Sequence, residues 1–255
     1  MKIAISGKGG VGKTTLVSLL ARSWADAGDK VLAIDADPAG GLARALGFPE
    51  PEKITPIIEM TRLIEERTGA KPGVHGQVYK LNPKVDDIPN RFAHEHQGIK
   101  LMLMGHIKSG GSGCVCPEST MIKALVQHLI LERDEHVIMD MEAGIEHLGR
   151  STTAGVNALL VVVEPSLRSI DVVQRIQKLV IDIGIKNSLV VGNKLRTLED
   201  KEFIQSKLPG FKTIGFIPFS PNLMARDRNG DLTLKDPQVD AEINRIKRIL
   251  EKLSP

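Results

Sequence analysis

Apolar residues along this chain follow two alternating rhythms. Short runs of consecutive aliphatic residues, such as "LLVVV" and "LVVG", recur along its length. They predict strands at residues 2–6, 31–35, 100–104, 136–140, 158–163, 188–192 and 213–217. Runs with no polar position inside them fit parallel strands covered on both faces. Between them apolar residues return every three or four positions, which predicts helices at 13–27, 57–68, 119–132, 170–183, 200–207 and 238–253. Strand and helix in alternation with short links predict an α/β fold, a doubly wound and mostly parallel sheet flanked by helices. The rhythm fails once, at about 69–98, where Pro72, Pro83 and Pro89 fall among glycines and charges. That stretch is expected to be an irregular surface insertion in a single domain spanning residues 1–255.

The last predicted helix carries Val239, Ile243, Ile246, Ile249 and Leu250 at helical spacing with basic residues between them. Such a stripe either docks on the sheet or lies on a membrane; docking is the expectation. Composition narrows the partners further. Aromatic residues make up 3% of the chain and the net charge is +3, which favours neither stacking on single-stranded bases nor a phosphate-backbone footprint. Neither nucleic acid nor membrane is therefore expected as a partner. Two cysteines are too few for a disulfide framework, and "MKIAIS" reads as a strand rather than a signal peptide. A cytoplasmic protein is expected.

The chemistry starts at "GKGGVGKT", residues 7–14, which matches the phosphate-loop pattern between a predicted strand and a predicted helix. Glycines at this spacing let backbone N–H groups turn inward at a helix N-terminus and cradle an anion. The candidate nucleotide-binding set is Gly9, Gly10, Val11, Gly12, Lys13, Thr14 and Thr15. Lys13 places a fixed charge on the β- and γ-phosphates, and the Thr14 hydroxyl ligates Mg²⁺. Asp35 ends the second strand in "LAIDADP", where it is expected to support Mg²⁺ from beyond the ion's direct ligands.

A second lysine, Lys8, stands inside the loop. "KGGVGKTT" resembles the deviant phosphate loop of the MinD/ParA, nitrogenase iron protein and arsenite-pump class of ATPases. The resemblance implies that Lys8 reaches across a homodimer to the partner's nucleotide, as an arginine finger does, so that hydrolysis requires dimerisation. It makes Asp37 the switch residue that prepares the attacking water. In "HVIMDMEAGIEHL" it makes Asp140 the aspartate that bonds a Mg²⁺ water and Gly144 the glycine that senses the γ-phosphate. Asn193 in "VVGNKLR" takes the place of the amide that reads adenine, and "GFIPFSP" matches the base-cradling loop at Pro218 and Phe219. A guanine reader needs an aspartate where this chain has Arg196. ATP with Mg²⁺ is therefore the expected cofactor pair.

The only two cysteines, Cys114 and Cys116, stand one residue apart in "KSGGSGCVCPES". Side chains at i and i+2 of an extended segment share a face but sit too far apart for an unstrained disulfide, and no Cys-x-x-Cys redox pair is present. Structural burial remains one reading. As metal ligands they form half a tetrahedral site, which a two-fold axis would complete with the same pair from a partner copy. His75, His94, His96, His106 and His147 are not assigned as ligands. "GCVCPES" together with "DMEAGIEHLGR" resembles the CooC-type accessory ATPases. That resemblance implies a homodimer that binds Ni²⁺ or Zn²⁺ and assists nickel insertion into carbon monoxide dehydrogenase, its client. The alternative is a MinD/ParA-type ATP-dependent positioning switch acting on membrane or DNA.

Overall fold

The computed structural model describes residues 1–37, 39–74, 76–105, 116–142, 155–230 and 232–253. The strands are β1 (Lys2–Gly7), β2 (Val31–Ala36), β3 (His94–His96), β4 (Ile99–Leu103), β5 (His136–Met141), β6 (Ala158–Val163), β7 (Ser188–Leu195) and β8 (Lys212–Pro218). They form an eight-stranded sheet in the order β3-β4-β2-β5-β1-β6-β7-β8. All neighbours pair parallel except β3, an antiparallel edge strand on β4. The helices are α1 (Lys13–Ala25), α2 (Leu42–Ala45), α3 (Thr61–Thr68), α4 (Ile88–Phe92), α5 (Pro117–Leu131), α6 (Leu167–Ile183), α7 (Leu198–Lys207), α8 (Pro221–Asn229) and α9 (Pro237–Glu251).

Period-two alternation divides the inner strands between two cores. Ile3, Ile5, Ala33, Ile138 and Leu160 face the layer of α1 and α9, with Trp24 of α1 fully covered. Ala4, Ile34, Met139 and Val161 face the layer of α3, α5 and α6. The α9 stripe is docked: Val239, Ile243, Ile246 and Leu250 are all buried, and Ile249 packs on the same core. Among the described residues no helix is long and apolar enough to cross a membrane.

Several elements differ from the pattern read in the sequence. The helix expected at 57–68 is a 3₁₀ turn, Ile57–Glu59, followed by α3, because Met60 takes φ −78° and ψ 68° and interrupts the helical path. The stretch at 69–98 contains α4 and β3. Helix α8 was not expected; it buries none of its residues, so it has no apolar stripe to detect.

Strand register positions the chemistry. Parallel pairing of β2 with β5 sets Asp35 directly beside Asp140. Pairing of β1 with β5 sets Ile5 beside Asp140, so the loop leaving β1 at Gly7 begins two residues beyond that carboxylate.

Candidate active site

The loop between β1 and α1 holds a shape that side chains at two positions would break. Gly7 has φ 148°, and a Cβ there would lie 2.5 Å from the Val162 carbonyl oxygen. Gly12 sits in the left-handed region at φ 97°, and a Cβ there would overlap the Asn193 amide. Gly12 caps α1 without any side-chain hydrogen bond. The first N–H groups of a long helix are thus left for an anion, with the positive end of the helix dipole behind them.

Beneath this loop the charged residues fall into two contacts. Lys13, 6% exposed, has its Nζ 3.4 Å from Asp37 Oδ2. The Thr14 hydroxyl donates to Asp140 Oδ2 at 2.6 Å. The other Asp140 oxygen, Oδ1, is buried and has no hydrogen-bond partner among the described residues. A buried carboxylate oxygen left over beside a threonine hydroxyl is a donor set that suits Mg²⁺, an ion that takes oxygen ligands and keeps much of its water. Thr14 and Asp140 would hold the hydrated ion, which neutralises phosphate charge when bound. Asp35 uses both carboxylate oxygens on the chain that follows it: Oδ1 accepts from Asp37 N at 3.2 Å and Oδ2 from Leu42 N at 3.1 Å. It therefore fixes the turn that carries Asp37.

Burial pushes the Asp140 carboxyl up to about 7, with the neighbouring Asp35 and Asp37 adding to the shift and Thr14 and Lys13 opposing it. Burial likewise raises Asp35 to about 6, against the N–H bonds from Leu42 and Asp37. Both folded values lie above the ordinary 3.8, so over that interval the folded state holds protons that the unfolded chain has released. Stability of the protein free of nucleotide and Mg²⁺ is thus greatest below about pH 4 for these two groups and declines as pH rises toward about 7. Thermal unfolding between about pH 5 and about pH 8 should show this decline, and Asp140→Asn should flatten it. An unchanged slope in that variant would refute the assignment.

Lys8 joins neither contact. Its Nζ lies 3.0 Å from Glu164 Oε1, just past the end of β6, with side-chain exposures of 34% and 22%. Asn193 is 8% exposed, and its amide donates to the Val11 carbonyl at 2.7 Å while its Oδ1 accepts from Lys194 N at 2.9 Å. Lys194 has φ 62° and donates from Nζ to the Gly10 carbonyl at 2.5 Å. The end of β7 thus clamps two carbonyls of the phosphate loop. Phe219 N donates to the Leu195 carbonyl at 2.7 Å, which ties the segment at Pro218 and Phe219 to the same strand end. The Arg196 guanidinium lies 3.8 Å over the Phe219 ring. Lys194, Arg196 and Phe219 line a cavity of about 700 Å³ together with Glu164 and Arg228. A second cavity, of about 240 Å³, is lined by Thr14, Thr15, Ser18, Arg44, Leu223 and Arg226 among others.

Glu164, Lys194 and Arg226 were not singled out in the sequence. The lysine follows directly on Asn193 and was the one with a local signal. Cys116 is the N-cap of α5, where its Sγ accepts from Ser119 N at 3.4 Å. Partial positive charge of the helix end therefore lies beside the sulfur. Cys114 and Gly144 lie outside the described residues, so their expected roles rest on the sequence.

A family profile described as the CobQ/CobB/MinD/ParA nucleotide binding domain matches residues 2–234. The chain is 47% identical over 232 residues to the carbon monoxide dehydrogenase accessory protein CooC of Rhodospirillum rubrum, covering 90% of this chain and 88% of that one. It is 44% identical over 256 residues to an uncharacterized ATP-binding protein of Methanocaldococcus jannaschii, covering 99% and 98%. Among solved structures, the MinC:MinD cell division protein complex of Aquifex aeolicus shares the fold with a TM-score of 0.69 at 22% identity, covering 100% of this chain and 97% of that one.

Proposed function

The chain belongs to the CobQ/CobB/MinD/ParA family of nucleotide-binding domains and is an ATPase, and from that premise we propose that it serves carbon monoxide dehydrogenase as a homodimeric accessory ATPase. In this reading it carries Ni²⁺ or Zn²⁺ between Cys114 and Cys116 of two copies, and nucleotide state governs delivery of nickel. The observation that carries the client is the 47% identity to CooC across 90% of the chain. The partly buried Thr14–Asp140 and Lys13–Asp37 contacts under an uncapped helix start support MgATP as the nucleotide. Lys8 acts in trans, Asp37 prepares water, and Gly144 senses the γ-phosphate. Asn193, Pro218 and Phe219 bound the base. The positioning-switch alternative draws less support, because the α9 stripe suited to a membrane is covered by the protein's own core.

The test is activation of nickel-free carbon monoxide dehydrogenase with Ni²⁺ and MgATP. The wild-type chain should accelerate recovery of activity, and Lys13→Ala should abolish the acceleration because nucleotide is no longer held by its phosphates. Recovery at the same rate with and without the chain would end this assignment.

A further inference from the structure

The segment after α3 contributes nothing to the nucleotide site, yet it is built with care. Its two ends are tied together. Arg67 Nη2 lies 2.7 Å from Asp87 Oδ2, Arg67 Nη1 donates to the Lys84 carbonyl at 3.4 Å, and Lys80 N donates to the Thr68 carbonyl at 2.8 Å. Its interior is braced by one amide side chain. Gln77 Oε1 accepts from Lys71 N at 3.0 Å, and Gln77 Nε2 donates to the carbonyls of Lys71 and Val74 at 2.9 and 3.0 Å. Ala70, Val85 and Ile88 anchor it in the core. A compact surface loop with close ends and its own bracing is the form in which proteins commonly present function.

What this loop presents is apolar and cationic. Val74, Val78 and Leu81 are 52%, 94% and 65% exposed. Single exposed aliphatics are ordinary, but three exposed on one braced loop offer apolar area to a partner. Lys71 and Lys80 stand exposed on the same loop, whereas Lys84 is paired with Asp86 at 3.7 Å; residues 69–85 include no aspartate or glutamate. Exposed aliphatics and two exposed lysines on one loop match an acidic protein surface with an apolar spot, in which the lysines steer and the aliphatics desolvate. A membrane surface fits less well: the exposed side chains are short aliphatics, without the Trp or Phe that anchors at the lipid interface. The bracing by Gln77 also reduces the ordering cost of a protein contact. The loop is carried by α3, which packs against α5, the helix capped by Cys116.

We propose that Lys71, Val74, Val78, Lys80 and Leu81 form a docking surface for an acidic face of the client enzyme, an inference that rests on the carbon monoxide dehydrogenase reading above. The experiment measures binding of the full-length chain, with MgATP, to nickel-free carbon monoxide dehydrogenase by interferometry at about 50 and about 300 mM salt. The variants are Val78→Ser/Leu81→Ser and Lys71→Glu/Lys80→Glu. Each should weaken binding by about tenfold or more, and the charge reversal should also remove most of the salt dependence. Both should keep their thermal unfolding and ATP hydrolysis, which shows that the fold is intact. Wild-type affinity in both variants would overturn the docking surface while leaving the client assignment standing. Absence of binding by the wild-type chain would remove the client and the docking surface with it. Two further arms oppose the proposal: pelleting with phosphatidylserine-containing vesicles that the variants lose, or dimerisation that the variants lose, would assign the patch to a membrane or to a second copy.

Discussion

Lys8→Ala is expected to lower kcat by about 10³-fold or more, the range measured for a charge supplied to a phosphoryl-transfer transition state from a partner chain, while ATP affinity stays within a few-fold. In one chain the Lys8 ammonium is held beside Glu164 at 3.0 Å, away from the Lys13–Asp37 and Thr14–Asp140 contacts. In the proposed reading it has no part in holding its own chain's phosphates, and its removal should spare ground-state binding. Specific activity should rise with chain concentration, because the missing charge comes from a second copy. The decisive measurement mixes Lys8→Ala with Asp37→Ala. In the heterodimer, the site with an intact Asp37 receives Lys8 from the other chain, so one competent site returns. Half-site recovery on mixing is the expected result. Failure to recover at every mixing ratio would exclude action in trans.

How much of this was legible in the chain follows from the distance over which each feature is encoded. Aliphatic runs such as 158–163 mark buried parallel strands, because both faces must be covered; the observed β6 has the same limits. The phosphate loop is legible for a similar reason, since its glycines, Lys13 and Thr14 are contiguous and act through one backbone path. Asp35 and Asp140 were visible singly as strand-end carboxylates, but their adjacency depends on β2 and β5 being neighbours, which no local pattern states. The Lys8–Glu164 and Asn193–Val11 contacts join residues 156 and 182 positions apart. Asn193 shows the consequence: its type and place suggest base reading, and no local pattern states that one of its two amide hydrogens holds the Val11 carbonyl of the phosphate loop. Helix α8 had a start signal in Ser220 and Pro221, an N-cap followed by proline at the first helical position, but no buried face behind it.

Metal titration of the full chain should saturate at one ion per two chains, and Cys114→Ser or Cys116→Ser should weaken binding by more than about 100-fold, beyond the loss measured for residues that only support a ligand. Two thiolates leave a tetrahedral ion two ligands short, and the sequence has no third cysteine. In the proposed site the partner copy supplies the other pair. Cys116, at the start of α5, already holds its sulfur where the helix end is partly positive, which suits an anionic sulfur ligand. Lower pH should weaken the site, since each thiol must lose its proton to ligate. If metal and ATP both favour the dimer, each must strengthen the other by the same factor. The coupling expected is about 1–3 kcal/mol, or roughly five- to 150-fold. Calorimetric titration with and without a nonhydrolysable ATP analogue measures it, and the Cys variants should keep nucleotide binding while losing the metal response. One tightly held ion per chain, indifferent to nucleotide and surviving loss of both sulfurs, would eliminate a site shared between copies.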